Sequence, residues 1–259
     1  MEMTLTSIDL NADLGESYGP WRMGNDDAML DIVTSANVAC GFHAGDPAEM
    51  VRITRLCRDK GVGIGAHPGF DDLHGFGRRR ITGNTAGELA AMIIYQIGAL
   101  QAIAAAEGTH LRHVKMHGAL SNMCMTDGWM AGIFARAVRQ LSGDLVIMAV
   151  AETEIQRAAE SVGGPYVSEV FADRAYNDDA TLVSRHEPGA VIHDPAVAAD
   201  NVLRMVEEQA VTSINGVKVP VRPQTVCVHG DNPDAVRLAE TVRMRLENAG
   251  ITVGAFDGP

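Results

Sequence analysis

The chain has 259 residues, 46% of them hydrophobic and 21% charged, the balance of a globular protein able to bury a sizeable core. Its net charge of −12 excludes the broad basic surface that nucleic acid or an anionic membrane would require. The four cysteines (Cys40, Cys57, Cys124 and Cys227) are scattered, with no CxxC pair, and the start MEMTLTSIDLNADLG lacks the basic and apolar regions of a signal peptide. No apolar run approaches the ~20 residues that span a bilayer, so a reduced, cytoplasmic protein is expected.

In chain order, seven short segments read as strands: residues 7–13, 37–42, 62–66, 113–117, 145–150, 166–171 and 224–228. Apolar residues at three-to-four spacing predict helices over 27–34, 47–60, 85–107, 128–141, 152–163, 195–208 and 233–249. Asp46-Pro47, Asp194-Pro195 and Asn232-Pro233 are helix-opening pairs, with proline in the first turn. Strand–helix alternation implies a parallel sheet with right-handed crossovers. With no linker or composition shift, it predicts one domain over 1–259, a seven-stranded (β/α) barrel of TIM-like type. The open doubly wound sheet is the fallback. Residues 173–194 form a long loop that reads as a lid. Residues 211–223 carry Asn215-Gly216 between alternating residues, a peripheral hairpin.

Side chains alternate across a strand with a period of two. That parity puts Asp9, Asn11 and Asp13 on one face of the first strand, opposite Ile8, Leu10 and Ala12. It groups Asn37 with His43, His67 with Gly63 and Gly65, and Lys115 with His113 and His117. It also groups Glu169 with Phe171 and Asp173, and Thr225 with Cys227 and His229. If the apolar faces meet the helices, the polar faces fill the barrel. As mere core, such an interior would be costly, because unpaired buried polar groups cost ~1–3 kcal/mol each. A polar cavity at the C-terminal ends of the strands, where barrel enzymes keep their chemistry, is the cheaper arrangement.

Several chemistries fit these residues. Asp13, His43 and His67 could supply a metal with one carboxylate and two imidazoles, although no HxxxH lies on a helix. His113 and His117 lie roughly 13 Å apart along one strand and cannot share an ion. Metal-free hydrolysis would use Asp13 or a histidine as base, with Lys115 stabilising negative charge. Phe76-Gly77-Arg78-Arg79-Arg80 could clamp an anion, or pair with nearby Asp71 and Asp72. Neither GxxxxGK[ST] nor a helix-opening GxGxxG occurs, so no common type of ATP site is visible.

The segments DLNADLGESYG (9–19), ANVACGFHAGDP (36–47), IGAHPGFDDLHGFGRR (64–79), VKMHGALSN (114–122), EVFADRAY (169–176) and VHGDNP (228–233) together resemble the LamB/YcsF family. The match runs in order along nearly the whole chain, departing at Ser121, where a tyrosine is expected. That resemblance implies a barrel related to the polysaccharide deacetylases. It also implies the activity of the ATP-dependent 5-oxoprolinase A subunit, which opens 5-oxoproline to L-glutamate with two partner subunits and ATP as co-substrate. It implies catalytic roles for Asp13, Glu16, Lys115, His43 and His117. Substrate contacts are then expected from Asn11, Asn37, His67, Arg78, Arg79, Arg174, His229 and Asp231. Two other readings stay open at this point: a metal-dependent, deacetylase-like hydrolase acting alone, and a non-catalytic protein that binds a small anion.

Overall fold

A computed structural model of the chain describes residues 6–228 and 234–256. His229 and Asp231 lie outside the described residues. The strands are β1 (Ser7–Leu14), β2 (Ser35–Ala39), β3 (Gly63–His67), β4 (His113–Val114), β5 (Val146–Val150), β6 (Tyr166–Phe171), β7 (Ala210–Thr212), β8 (Lys218–Pro220), β9 (Thr225–Cys227) and β10 (Thr252–Val253). The helices are α1 (Asp26–Met29), α2 (Pro47–Lys60), α3 (Ala86–Ala106), α4 (Gly118–Cys124), α5 (Gly128–Leu141), α6 (Glu154–Val162), α7 (Pro195–Glu208) and α8 (Ala235–Asn248).

Seven strands pair in parallel in the order β1-β2-β3-β4-β5-β6-β9. The pairs Asp9↔Thr225 and Asn11↔Cys227 close β9 onto β1, so the sheet is the expected seven-stranded barrel. The outward apolar residues of the strands, such as Leu10, Val38, Ile64, Val114 and Val170, are buried in the core that the helices complete. Capping follows the sequence signals. Asp46 accepts from the backbone amides of Ala48 and Glu49, and Asp194 from those of Ala196 and Val197. Thr85 and Glu88 form a full capping box at the start of α3.

The structure departs from the sequence expectations in several places, and the strand expected over 37–42 is β2, which ends at Ala39. The helix expected over 27–34 is a single turn, because the chain must bend back for Thr34 to hydrogen-bond Leu10 and Asp9 of β1. The strand expected over 113–117 pairs regularly only at His113 and Val114. Its backbone nevertheless stays extended, with Lys115 N donating to Ala66 O at 3.0 Å and His117 N to Pro68 O at 2.9 Å, so the inward parity survives. Helix α4 and strand β10 have too few residues to leave a period in the sequence. Helix α3, at 21 residues, is long and apolar enough to cross a membrane by length and composition. In the fold it packs Leu89, Ile93, Ile97 and Leu100 inward, against the neighbouring helices α2 and α5 and strand β3.

The long loop after β6 is tied down throughout. Arg174 bridges Val191, Tyr176 bridges Leu182, and the Tyr176 hydroxyl receives the Phe171 amide at 2.7 Å. The antiparallel β7–β8 hairpin turns at Asn215-Gly216 and attaches to this loop through Ile214 N to Tyr176 O.

The floor of the barrel interior is apolar, built from Val146, Met148 and Val167 and closed by Phe256 of the C-terminal segment. His113 stands on this floor with its ring edge-on to Phe256. Gly65 makes room for that ring, since a Cβ there would lie 2.1 Å from His113 Nε2. Gly65→Ala is therefore expected to destabilise the fold by about 1–3 kcal/mol or more, as over-packing does in a filled core. Urea unfolding measures it, and an unchanged midpoint would contradict this packing.

Candidate active site

The polar interior rises in layers from the floor. Lowest is Asp9, whose carboxylate accepts the hydroxyls of Thr34 (2.6 Å), Ser35 (2.7 Å) and Thr225. Burial pushes its pKa up, and the three hydroxyls oppose that rise. Above it, Asn11 donates to Thr225 Oγ1 at 2.8 Å, and Asn37 donates to both Asn11 Oδ1 (2.8 Å) and Asp13 Oδ1 (3.0 Å). His113 Nε2 meets Asn37 Oδ1 at 2.8 Å. Because an amide oxygen only accepts, His113 carries its proton on Nε2.

Lys115 is the hub of the next layer. Its ammonium lies 2.8 Å from Glu169 Oε1, 3.0 Å from Asp13 Oδ1, 3.1 Å from Asn11 Oδ1 and 3.0 Å from Cys227 Sγ. Burial alone would lower its pKa, yet the carboxylates of Asp13 and Glu169 hold it well above the usual lysine range. Glu169 is pushed up by burial and pulled back by Lys115. Cys227 is raised far above a free thiol by burial and stays protonated. An ammonium has three hydrogens, and these four neighbours occupy them all. Lys115 thus acts through its charge and its grip on Asp13.

The cavity mouth is walled by imidazoles. His67 Nδ1 lies 2.8 Å from Lys115 O, and His117 Nε2 lies 2.8 Å from Phe76 O. Carbonyl oxygens only accept, so both of these nitrogens carry the proton. The opposite nitrogens, His67 Nε2 and His117 Nδ1, face one another at 3.1 Å. Asp13 Oδ2 lies 3.2 Å from His67 Nε2, and Glu16 Oε1 is 4.0 Å from His117 Nδ1. His43 lies flat on His117, with ring centroids 3.7 Å apart and planes within 4°. Gly77 permits this stack, since a Cβ there would come within 2.8 Å of both rings' side chains and its φ is +61°. Burial drives His117 down to about 3 and His43 well below the usual range, so both rings are neutral at pH 7.

Fold closure thus assembles Asn11, Asp13, Glu16, Asn37, His43, His67, Lys115 and His117 into one site. Arg78 lies beside it, its guanidinium 5.0 Å from the Phe76 ring centroid, and its charge helps to depress His43 and His117. Arg79 is spent on Asp72. Arg174 donates to the carbonyls of Val183 and Ala190 within the long loop. Glu169 and Cys227 join the site without having been candidates from sequence, although strand parity turns both inward. Phe76 carries no sequence signal, because it takes part through its backbone oxygen. The other thiols, Cys40, Cys57 and Cys124, are buried and pushed up to about 12, which rules them out as nucleophiles.

A family model described as the LamB/YcsF family matches residues 8–258. The chain belongs to the LamB/YcsF family. Among relatives of this LamB/YcsF protein, the 5-oxoprolinase A subunit of Rhodopseudomonas palustris (strain BisA53) is 54% identical over 252 residues, covering 97% of this chain and 99% of that one. The lactam utilization protein of Thermus thermophilus has a solved structure that superposes with a TM-score of 0.91 at 44% identity, covering 96% of this chain and 100% of that one. A family 4 carbohydrate esterase from Streptomyces lividans aligns over 96% of this chain and 92% of its own, with a TM-score of 0.50 and 12% identity. That last likeness concerns the barrel fold alone.

Proposed function

We propose that this chain is the A subunit of an ATP-dependent 5-oxoprolinase, opening 5-oxoproline to L-glutamate with two partner subunits. The observation that carries the reading is the site just described: a Lys115-anchored Asp13 beneath a mouth of imidazoles. It sits in a chain about half identical, end to end, to relatives named for that activity. A five-membered lactam is a resonance-stabilised amide and a poor electrophile. Phosphoryl transfer from ATP to the lactam oxygen makes its carbon attackable and releases ADP. Water then adds to that carbon while Asp13 takes its proton. Collapse of the tetrahedral intermediate breaks the ring C–N bond, with the proton passing to nitrogen, and the resulting acyl phosphate is hydrolysed to glutamate and phosphate.

In this scheme Asp13 is the base. Its Oδ1 is fixed by Lys115 and Asn37, and its side chain retains 14% exposure toward the mouth, whereas Asp9 and Glu169 are sealed at 1%. Glu16 borders the same space from the end of β1, and Asn11 and Asn37 orient Asp13 from below. Arg78 is the cation best placed for the substrate carboxylate or phosphate. The family resemblance adds His229 and Asp231 as substrate contacts. ATP is the co-substrate and is handled together with the partner subunits.

The test combines the chain, its two partner subunits, MgATP and 5-oxoproline. Glutamate and phosphate should form in equal amounts, and omitting this chain should abolish glutamate. Undiminished glutamate formation by the other two subunits alone would overturn the reading.

A further inference from the structure

Two backbone carbonyls set the tautomers at the mouth. With His67 Nδ1 and His117 Nε2 both committed as donors, the nitrogens facing each other at 3.1 Å have at most one proton between them and can both turn lone pairs on a cation. The electron-rich Asp13 Oδ2 stands 3.2 Å from one of them. Acceptors pressed together in a buried site repel one another unless a proton or a metal cation sits among them. We propose that a divalent transition-metal ion of the zinc class binds between His67 Nε2 and His117 Nδ1, with the Glu16 carboxylate as third ligand. This deepens the reading of the same cavity given above.

The spacing suits an ion. Metal–nitrogen bonds of about 2.0–2.1 Å at tetrahedral angles set ligand nitrogens about 3.3 Å apart, close to the 3.1 Å found. One ligand atom each of Glu16, His43, His67 and His117 lies within 4.8 Å of all the others, and the four residues are buried. Glu16 follows Gly15, whose positive φ of +69° turns the chain back over the mouth. The outer shell is also in place. Histidine ligands ordinarily donate their second N–H to a carbonyl or carboxylate, which fixes the tautomer, and Lys115 O and Phe76 O do this here. Two imidazoles and a carboxylate, with a position left for water or substrate oxygen, are the donor set of catalytic zinc.

Geometry also separates His43 from the ligands. Imidazole lone pairs lie in the ring plane, and His43 is stacked on His117 at 3.7 Å with planes within 4°. Their lone pairs run in parallel sheets and cannot meet at one ion. Yet among the described residues both His43 nitrogens are fully buried without a hydrogen-bond partner. They are polar atoms waiting for something that enters the cavity. His43 is therefore the acceptor for a water or substrate group carried by the ion.

The experiment needs neither lactam nor partner subunits. Tag-free chain is stripped with chelator and titrated with Co2+, then with Zn2+. One equivalent should bind, with visible cobalt ligand-field bands that Zn2+ bleaches. His67→Ala and His117→Ala should each weaken binding by at least about 100-fold, the upper end of what losing an outer-shell partner does. His43→Ala should keep one equivalent. Absence of a stoichiometric cobalt band in the wild-type chain would overturn the site even if a variant failed to fold. Loss of the ion in His43→Ala as complete as in His117→Ala would overturn the ligand assignment. A stoichiometric ion in a chain that opens no lactam would leave the metal site standing and remove only the functional reading. Lactam opening without an ion would do the reverse.

Discussion

Lys115→Met is expected to destabilise the protein by about 3–5 kcal/mol, the penalty for removing one partner from a buried ionic cluster. Lys115 is 4% exposed and is the cation that faces Asp13 and Glu169 at 3.0 and 2.8 Å. Methionine fills a similar volume, so the loss is electrostatic rather than a cavity effect. Urea unfolding at neutral pH measures it. Adding Glu169→Gln to Lys115→Met should restore part of the stability, because the glutamine removes the more deeply buried of the stranded carboxylates. A single-variant loss below about 1 kcal/mol, the range of a surface pair, would contradict a buried hub. The pH dependence follows from the sign of the shift. Lys115 has a folded pKa above its unfolded value of 10.5, so its contribution is complete below pH 10.5 and fades as the pH rises through the folded value. Wild-type protein should therefore lose this stability only in strong alkali, and Lys115→Met should lack that alkaline component.

Much of this arrangement is legible in the chain, because a closed parallel barrel converts strand parity directly into inside and outside. Asp9, Asn11 and Asp13 alternate with Ile8, Leu10 and Ala12, and the pairing of β9 with β1 turns the polar set inward as the alternation implies. The joint presence of Asp13, His67, Lys115 and His117 follows from the same parity, whereas β2 ends at Ala39 and a turn through Gly41, with φ +90°, carries His43 to the site. What the sequence conceals is cross-barrel and backbone chemistry. Glu169 reaches Lys115 from β6, two strands away, at a distance no local spacing encodes. The tautomers of His67 and His117 are set by the carbonyls of Lys115 and Phe76, and a carbonyl is the same on every residue. The arginines show the limit from the other side. FGRRR reads either as an anion clamp or as a partner of Asp71 and Asp72, and the turn at Leu73–Gly75 divides the two, giving Arg79 to Asp72 and leaving Arg78 toward the histidines. Arg174 is similarly diverted, because the loop after β6 folds back on itself and needs a donor for its own carbonyls.

Asp13→Asn should behave in the opposite way to Lys115→Met, leaving the fold and abolishing the reaction. Lys115 keeps Glu169 at 2.8 Å as a counter-charge when Asp13 becomes neutral, so no buried charge is stranded. Asparagine also retains an oxygen able to accept from Lys115 and Asn37, as Asp13 Oδ1 does at 3.0 Å from each. The variant should thus unfold within about 1 kcal/mol of wild type, the scale of one ordinary hydrogen bond. The amide cannot take a proton from water, however. Removing a positioned general base lowers turnover by about 10²–10⁴-fold. Glutamate formation in the three-subunit assay should fall by that factor with little change in the apparent KM for 5-oxoproline, because Asp13 acts on the water and not on substrate binding. Near-normal turnover in a folded Asp13→Asn chain would overturn Asp13 as the base. Equal losses of stability in Asp13→Asn and Lys115→Met would show instead that Asp13 is only the second half of a structural ion pair.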